Sequence, residues 1–257
     1  MAPWTAFPHA GDYQFDAASL KRQWARLHQG DCEPWPTDPA VQAAWVLFHN
    51  GEFHQATQAG MRAGGAGITA ANKATAFHAT YLESREKTKL DLLMEVTARA
   101  EAQQADDPKN PNAWYWQAYA LGRYSQGISV AKALAHGLGN KVKQALEKTI
   151  TLQPRHANAY LTLAGFHAEV IDKVGPLIGG MTYGAKKDTG LALYQQALKL
   201  NPGSPITMIE YANGLVMLEG DKKMSEATRL YKQAAASQPA DAAERLDVEM
   251  AKAELAD

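Results

Sequence analysis

Three prolines in the second half of the chain recur in step with one pattern of large and small side chains. The segment that begins at Val142 aligns without a gap with the segment that begins at Gly190, 48 residues later, and this alignment places Pro154 on Pro202. A third copy, ATRLYKQAAASQPAD, places Pro239 at the same position. Internal repetition of this length is typical of chains that stack short supersecondary units, and it limits the fold more than any other feature.

Each copy predicts a pair of helices joined by a proline turn. An amphipathic helix of period 3.6 ends at the proline, and a second helix begins a few residues later. In the second helix a large side chain precedes a small one by four positions, and two antiparallel helices approach closely where a small residue faces a large one. These pairs are Trp114 and Ala118, Tyr160 and Ala164, and Met208 and Ala212.

These positions resemble the signature of the tetratricopeptide repeat (TPR), and AWVLFHNGEFHQA at 44–56 resembles the turn of a first repeat. The resemblance implies an all-α fold, a right-handed superhelical solenoid of TPR-like helical hairpins. We expect one solenoid over residues 1–257, with an N-terminal arm and capping helix in 1–37, about five hairpins in 38–239, and a C-terminal capping helix in 240–257. End units of this kind cover the apolar faces that a stack otherwise leaves open.

Two of the repeats are longer than the family standard of about 34 residues. The proline spacings are 46, 48 and 37, and the extra residues are SQGISVAKALAHGLGNK and VGPLIGGMTYGAKK. The second insertion has the glycine spacing of a phosphate-binding loop in Gly179 and Gly184, but Ala185 precedes Lys186 and no serine or threonine follows the lysines. Both neighbours are also helical. We therefore interpret this stretch as a connector whose glycines allow sharp turns.

Lengthened repeats of this kind resemble proteins related to the regulators of microtubule dynamics and the T component of tripartite ATP-independent periplasmic (TRAP) transporters, over residues 112–239. The motifs GRYSQG, HAEVIDKVG and EYANGL resemble a group of bacterial TPR proteins. The sequence shows neither the mitochondrial anchor and coiled coil of the first family nor the lipoprotein signal of the second. Neither function is therefore carried over.

Composition disfavours several classes of partner. Apolar residues make up 46% of the chain and charged residues 21%, with a net charge of −1, so we expect a folded globular protein that does not bind nucleic acid. No stretch approaches the roughly 18 to 20 apolar residues that cross a bilayer, so no membrane contact is expected. The single cysteine, Cys32, cannot form an internal disulfide. A cytoplasmic bacterial protein is the expectation.

The histidines do not form a convincing metal site. His49, Glu52 and His54 are close in sequence, but Gly51 indicates a turn between the two imidazoles. Solvated turn residues are the simpler interpretation. Cys32 has no basic neighbour in sequence that would lower its pKa.

A second candidate for chemistry is FHAEVIDK. Glu169 and Asp172 share a helix face and could act as paired carboxylates or bind a cation. His167 falls at a position that usually packs between helices, so we expect a hydrogen-bonded core histidine, with the carboxylates solvated or paired with Lys173. No G-x-S-x-G motif occurs. We expect no enzymatic activity, no cofactor and no metal.

Stacked hairpins create a concave surface lined by the first helix of each unit, which is a natural binding groove. NAWYWQAYALGRY is its sharpest feature, because Trp, Tyr and Arg dominate binding hot spots; the alternative is that Trp114 and Tyr119 only fill the hairpin core. Of the positions that bind acidic chaperone tails in TPR domains, only Asn213 fits. The predicted groove residues are Asn112, Tyr115, Trp116, Tyr119, Arg123, Asn158, Leu161, Glu169, Ile209, Asn213 and Met217.

The leading hypothesis is a non-catalytic protein–protein interaction or assembly module that binds a peptide or partner helix in this groove. The alternative is a small apolar ligand-binding protein related to transporter accessory components, in which segments 125–140 and 174–188 roof the groove. A hydrolase or metal-dependent enzyme is a third hypothesis. The sequence leaves open who the protein partner is and whether the chain forms homo-oligomers.

Overall fold

The structure is a computed structural model that describes residues 4–256, and this part of the chain contains α-helices and no strand. Fourteen α-helices follow one another there, and a single π-helical turn, His78–Leu82, extends the fourth. The architecture is an all-α helical repeat. The helices are α1 Ala17–Leu27, α2 Pro39–His49, α3 Phe53–Ala63, α4 Gly67–Phe77, α5 Glu86–Asp106, α6 Pro111–Gln126, α7 Val130–Ala135, α8 Leu138–Leu152, α9 Ala157–Val174, α10 Pro176–Tyr183, α11 Lys187–Leu200, α12 Pro205–Glu219, α13 Met224–Ala235 and α14 Ala242–Ala256.

Ten of these helices form five antiparallel hairpins that stack in chain order. The hairpins pair α2 with α3, α4 with α5, α6 with α8, α9 with α11 and α12 with α13, and α14 packs on the last. The two short helices α7 and α10 lie inside the third and fourth hairpins, in the two insertions. Because each hairpin buries its apolar face against its neighbours, the core is a row of clusters along the stack.

The starts of the helices follow from local capping. Asp16 caps α1 in a capping box with Ser19, and the side chains of Asn110 and Ser204 cap α6 and α12. Proline occupies the first turn of α6 and of α12, where its missing N–H costs nothing. His156 caps α9, because its Nδ1 accepts from the backbone nitrogen of Ala159 at 3.0 Å.

The alternation of large and small side chains sets the close approach of the helices. Tyr194 of α11 is 1% exposed and lies directly against Gly214 of α12, where an added Cβ would overlap the phenol ring. Its ring stacks on Tyr211 with 5.3 Å between centroids. The absence of a side chain at Gly214 therefore leaves room for the ring of Tyr194.

The segment between α1 and α2 lies within the superhelix rather than at its end. We call residues 28–33 the inner segment. The carbonyl of Gly30 accepts from the backbone nitrogen of Asn158 at 2.9 Å, and Asn112 Nδ2 donates to Glu33 Oε2 at 2.5 Å. Cys32 has φ of +51°, in the left-handed region, which turns the chain back towards α2. The N-terminal region therefore reaches the third and fourth hairpins as well as the first.

The last helix returns to the first hairpins. His49 Nδ1 lies 2.6 Å from Asp241 Oδ2, Tyr81 donates its hydroxyl to Asp247 Oδ1 at 2.5 Å, and Arg26 pairs with Glu244. The two ends of the stack thus contact each other, and the concave side becomes a partly enclosed space.

Candidate functional site: a cavity at the centre of the superhelix

The centre of the superhelix contains a cavity of about 230 Å³. Its walls come from the first helices of the second to fifth hairpins, α4, α6, α9 and α12, and from the inner segment and α14. The first helices line it because the hairpins curve with these helices inward. The cavity is the part of the concave surface that the inner segment and α14 leave open.

Seven of the eleven predicted groove residues line this cavity, and four do not. The seven are Tyr115, Trp116, Tyr119, Arg123, Asn158, Leu161 and Glu169. Asn112 lies beneath the inner segment, where its Oδ1 faces His156 Nε2 at 2.9 Å. The remaining three are on α12. Ile209 is 2% exposed and packs towards α13 and α14, Asn213 accepts from the hydroxyl of Tyr231, and Met217 is exposed.

Two of the three departures on α12 share one physical reason. α14 covers the inner side of the fifth hairpin, so Ile209 packs against α13 and α14, and Asn213 bonds to Tyr231 of α13, instead of facing an open groove. Met217 is exposed and does not line the cavity. In their place Glu210 and Ile206 of the same helix line the cavity. The prediction from the sequence assumed that the groove is open along all five hairpins.

The aromatic cluster of α6 forms one wall. Tyr115 and Trp116 are 4% and 2% exposed, with ring centroids 5.0 Å apart, and Trp116 lies 5.3 Å from Tyr119. Trp114 points to the other side, where its Nε1 donates to the carbonyl of Pro108 at 3.1 Å. This wall is therefore rigid and mostly apolar.

A charged pair crosses the middle of the cavity. Arg123 donates to Glu210 at 2.7 Å and its guanidinium lies over the ring of Tyr119, 5.4 Å from the centroid. Both charged side chains are about a quarter exposed. The pair joins α6 to α12 and gives the cavity a polar surface beside its aromatic wall.

A buried polar chain runs through the inner segment and reaches the cavity wall at Lys73, Asp31 and Asp241. Lys73 donates to Asp31 at 2.7 Å, Asp31 contacts His28 Nδ1 at 2.8 Å, and His28 Nε2 lies 3.1 Å from His49 Nε2, which leads on to Asp241. Burial lowers the pKa of His28 to about 4. Burial opposes ionisation of Asp31, but His28 and Lys73 outweigh it and hold the pKa of Asp31 well below its usual range.

Asp247 is the most unusual carboxylate of the site. It is 4% exposed, lines the cavity, and accepts one hydrogen bond, from Tyr81. Burial raises the pKa of Asp247 well above its usual range, and the nearby carboxylates of Glu244, Asp241 and Glu210 raise it further. No local sequence signal indicates Asp247 or Tyr81, because they are 166 positions apart.

The insertions form the mouth of the cavity. Val130 and Leu134 of α7 line it while remaining 43% and 45% exposed, and Val174 and Tyr183 line it from the second insertion. The outer face of α10 carries Leu177, Ile178 and Met181, which are exposed. The way into the cavity is therefore apolar.

The residues considered for catalysis make contacts within the fold. Burial raises the pKa of the Cys32 thiol, which is the opposite of what an activated nucleophile requires. His167 is buried and its Nδ1 accepts from the backbone nitrogen of Lys186 at 3.0 Å. Glu169 pairs with Lys173 at 3.5 Å. Within residues 4–256 no group of three His, Cys, Asp or Glu side chains is arranged to hold a metal ion.

No protein-family model matches the chain, and no curated protein matches it. Among solved structures, the chain is similar to TTC0263, a thermophilic TPR protein of Thermus thermophilus, with a TM-score of 0.59 and 16% identity over 83% of this chain and 97% of that one. Two structures of MamA have TM-scores of 0.42 and 15% identity, and cover 84% and 85% of this chain and 92% and 99% of theirs. In the described part of the chain, no helix has the length and hydropathy needed to cross a membrane. The likeness to TTC0263 and the hairpin stack together show a TPR-type, all-α helical repeat fold.

Proposed function

We propose that the chain is a non-catalytic recognition protein that binds a short segment of a partner protein in the central cavity. The observation that carries this proposal is that the cavity collects seven of the residues expected to bind, between a rigid aromatic wall and an apolar mouth. The TPR-type fold supports it, since such stacks build concave binding surfaces.

The occupant is a short extended segment or one anchoring side chain, and not a partner helix. A helix is about 10 Å across with its side chains, whereas the inner segment already lies on the concave side, where it contacts Lys73, Asn112 and Asn158. The remaining space of about 230 Å³ suits an anchor of one or two side chains. The bound surface would continue over α7 at the mouth.

Gly122 offers a direct test of this proposal. It lines the cavity, and an added Cβ would meet no atom within 4 Å. A side chain at Gly122 would therefore begin in open space, and we expect Gly122→Phe to place its ring in the cavity. Gly203→Phe is the matched control, because Gly203 also has open space around it and does not line the cavity.

The experiment uses a photo-crosslinking side chain at Leu134, on the rim of the cavity, in cells that express the protein. We expect one crosslinked partner with the unmodified cavity and with Gly203→Phe, and loss of that product with Gly122→Phe. A partner captured equally by all three proteins would overturn the proposal that the cavity is the binding site.

A small apolar ligand is the second candidate, and it is favoured by the position of α7 over the cavity. Native mass spectrometry of the purified protein separates the two. A bound small molecule that is lost in Gly122→Phe and kept in Gly203→Phe would support ligand binding. We expect no such mass if the natural occupant is a protein segment.

A further inference from the structure

The charges around the cavity do not balance, and one carboxylate is left over. Six acidic and three basic side chains line it. Each basic side chain has an acidic partner: Lys73 pairs with Asp31 at 2.7 Å, Arg123 with Glu210 at 2.7 Å, and Lys173 with Glu169 at 3.5 Å. The acidic residues that remain are Asp241, Glu244 and Asp247.

Two of these three have basic partners behind the cavity wall. Asp241 contacts His49 at 2.6 Å, and Glu244 pairs with Arg26. Asp247 forms no ion pair with any residue of the described chain, 4–256, and its one hydrogen bond comes from the neutral hydroxyl of Tyr81. A carboxylate that is 96% buried is costly to ionise without a cation, so Asp247 holds a proton while the cavity is empty and can release it when a cation binds beside it.

Tyr81 and its neighbours complete a site that suits an organic cation. The ring of Tyr81 stacks on Phe77 with 5.4 Å between centroids, and both rings line the cavity beside Tyr119. Aromatic faces attract cations through the ring quadrupole, as Tyr119 already does with Arg123. Glu244, about one turn before Asp247, and Asp241, just before the start of α14, add to the negative potential.

A monovalent ammonium fits this arrangement better than a metal ion does. Asp247 stands alone, without the three or more ligand side chains that a metal site needs. The cavity that Asp247 lines is also lined by the aromatic wall and by Val130 and Leu134 of α7. In a ligand with an ammonium group on an apolar stem, the ammonium group would pair with Asp247 and the stem would contact Val130 and Leu134. A cavity of about 150 Å³ holds a benzene ring, so this one can hold a ring with a short amine chain.

We propose that the occupant of the cavity carries an ammonium group that pairs with Asp247. This inference rests on the proposed function, since it gives the chemistry of the group that the same cavity receives. The ammonium can belong to a lysine side chain of a protein partner or to a free amine, and both would present the same head group to Asp247.

The test is a titration with probes that share a stem and differ in charge. Phenethylammonium, 2-phenylethanol and 3-phenylpropanoate are added to the protein at neutral pH and followed by calorimetry and by the NMR signal of the Trp116 indole. We expect phenethylammonium to bind at least about tenfold more tightly than the neutral and anionic probes. Equal binding of the three, stronger binding of the anion, or no binding by any probe would overturn the inference.

Asp247→Asn is the variant that tests the carboxylate. Tyr81 can still donate to the amide oxygen, so the fold should be kept, and circular dichroism checks this. We expect the affinity for phenethylammonium to fall at least about tenfold, while Asp221→Asn, at an exposed acid outside the cavity, leaves it unchanged. Unchanged affinity in Asp247→Asn would refute the assignment.

Two further arms separate the sources and the two proposals. A capped lysine peptide that competes with phenethylammonium would point to a protein partner, and a capped norleucine peptide is its neutral control. If the rim crosslink is lost in Gly122→Phe but persists in Asp247→Asn and no ammonium probe binds, the cavity remains the binding site and only the ammonium inference fails.

Discussion

The backbone carbonyl of Gly30 accepts a hydrogen bond from the backbone nitrogen of Asn158 at 2.9 Å, and this contact fixes the inner segment to the start of α9. A Cβ on Gly30 would come within 2.5 Å of Asn158 Oδ1. This atom is at the end of the Asn158 side chain, which can turn aside, so we expect Gly30→Val to lower the free energy of unfolding by about 1 kcal/mol. Limited proteolysis should cut near residue 30 faster than in the wild type, because the segment is held less tightly. Gly203→Val has no such neighbour and should have little effect; equal losses in the two variants would contradict this account.

The contact between Tyr194 and Gly214 tests the packing of α11 on α12. An added methyl group at Gly214 would overlap the buried phenol ring, so Gly214→Ala should lower the free energy of unfolding by about 1–3 kcal/mol in urea denaturation. Gly122→Ala is the matched substitution in a helix with open space around the new Cβ. It should raise stability by roughly 0.5–1 kcal/mol, because alanine loses less backbone entropy than glycine. The opposite order would show that the two helices do not pack in this way.

Acid should destabilise the fold through His156. Burial lowers the pKa of His156 from 6.5 to about 4. Between these pH values, His156 therefore binds a proton in the unfolded chain and not in the folded one. Stability therefore rises with pH across this window, and His156 alone accounts for about 3 kcal/mol of it. His156→Asn retains a capping side chain and removes this dependence. The free energy of unfolding in urea is measured near pH 4 and above pH 6.5. We expect the difference between these two values to be smaller for His156→Asn than for the exposed control His136→Asn.

When the cavity is empty, Asp247 should lower the free energy of unfolding at neutral pH. Its pKa is raised by burial, so the folded protein keeps a proton that the unfolded chain releases once the pH passes the usual carboxyl range. Stability then falls as pH rises through and beyond that range. Asp247→Asn lacks this loss, and each pKa unit of the shift is worth about 1.4 kcal/mol. Urea unfolding at acidic and neutral pH gives the free energy of unfolding of each protein. Relative to the wild type, this free energy should increase for Asp247→Asn as pH rises and should not change for Asp221→Asn.

The stack of hairpins could be predicted from the sequence because its determinants are local. The proline turns, the cap at Asp16 and the large and small side chains at fixed spacing all act within one hairpin or between neighbours. The all-α repeat fold is confirmed. The same pattern placed Tyr119 and Arg123 on the concave side, where they line the cavity.

The enclosed cavity could not be predicted, since it depends on contacts between distant parts of the chain. Asp247 meets Tyr81, and Gly30 meets Asn158, at separations of 166 and 128 positions, and no periodicity encodes such pairs. The covering of α12 by α14 has the same origin. Ile209 and Asn213 were expected to face a groove because the repeat register does not encode where a helix beyond the last repeat will pack.

The contact between His49 and Asp241, 192 positions apart, changes how this molecule should come apart and how it is made. A linear stack can lose its outermost repeat while the rest stays intact. Here, release of either terminus breaks contacts at the opposite one, so fraying is suppressed and melting should occur in one cooperative step. During synthesis, α1 and the inner segment are made before α14 and gain their last neighbours only after α14 has emerged from the ribosome. Until then, the nascent chain leaves exposed the surface that α14 covers in the folded protein.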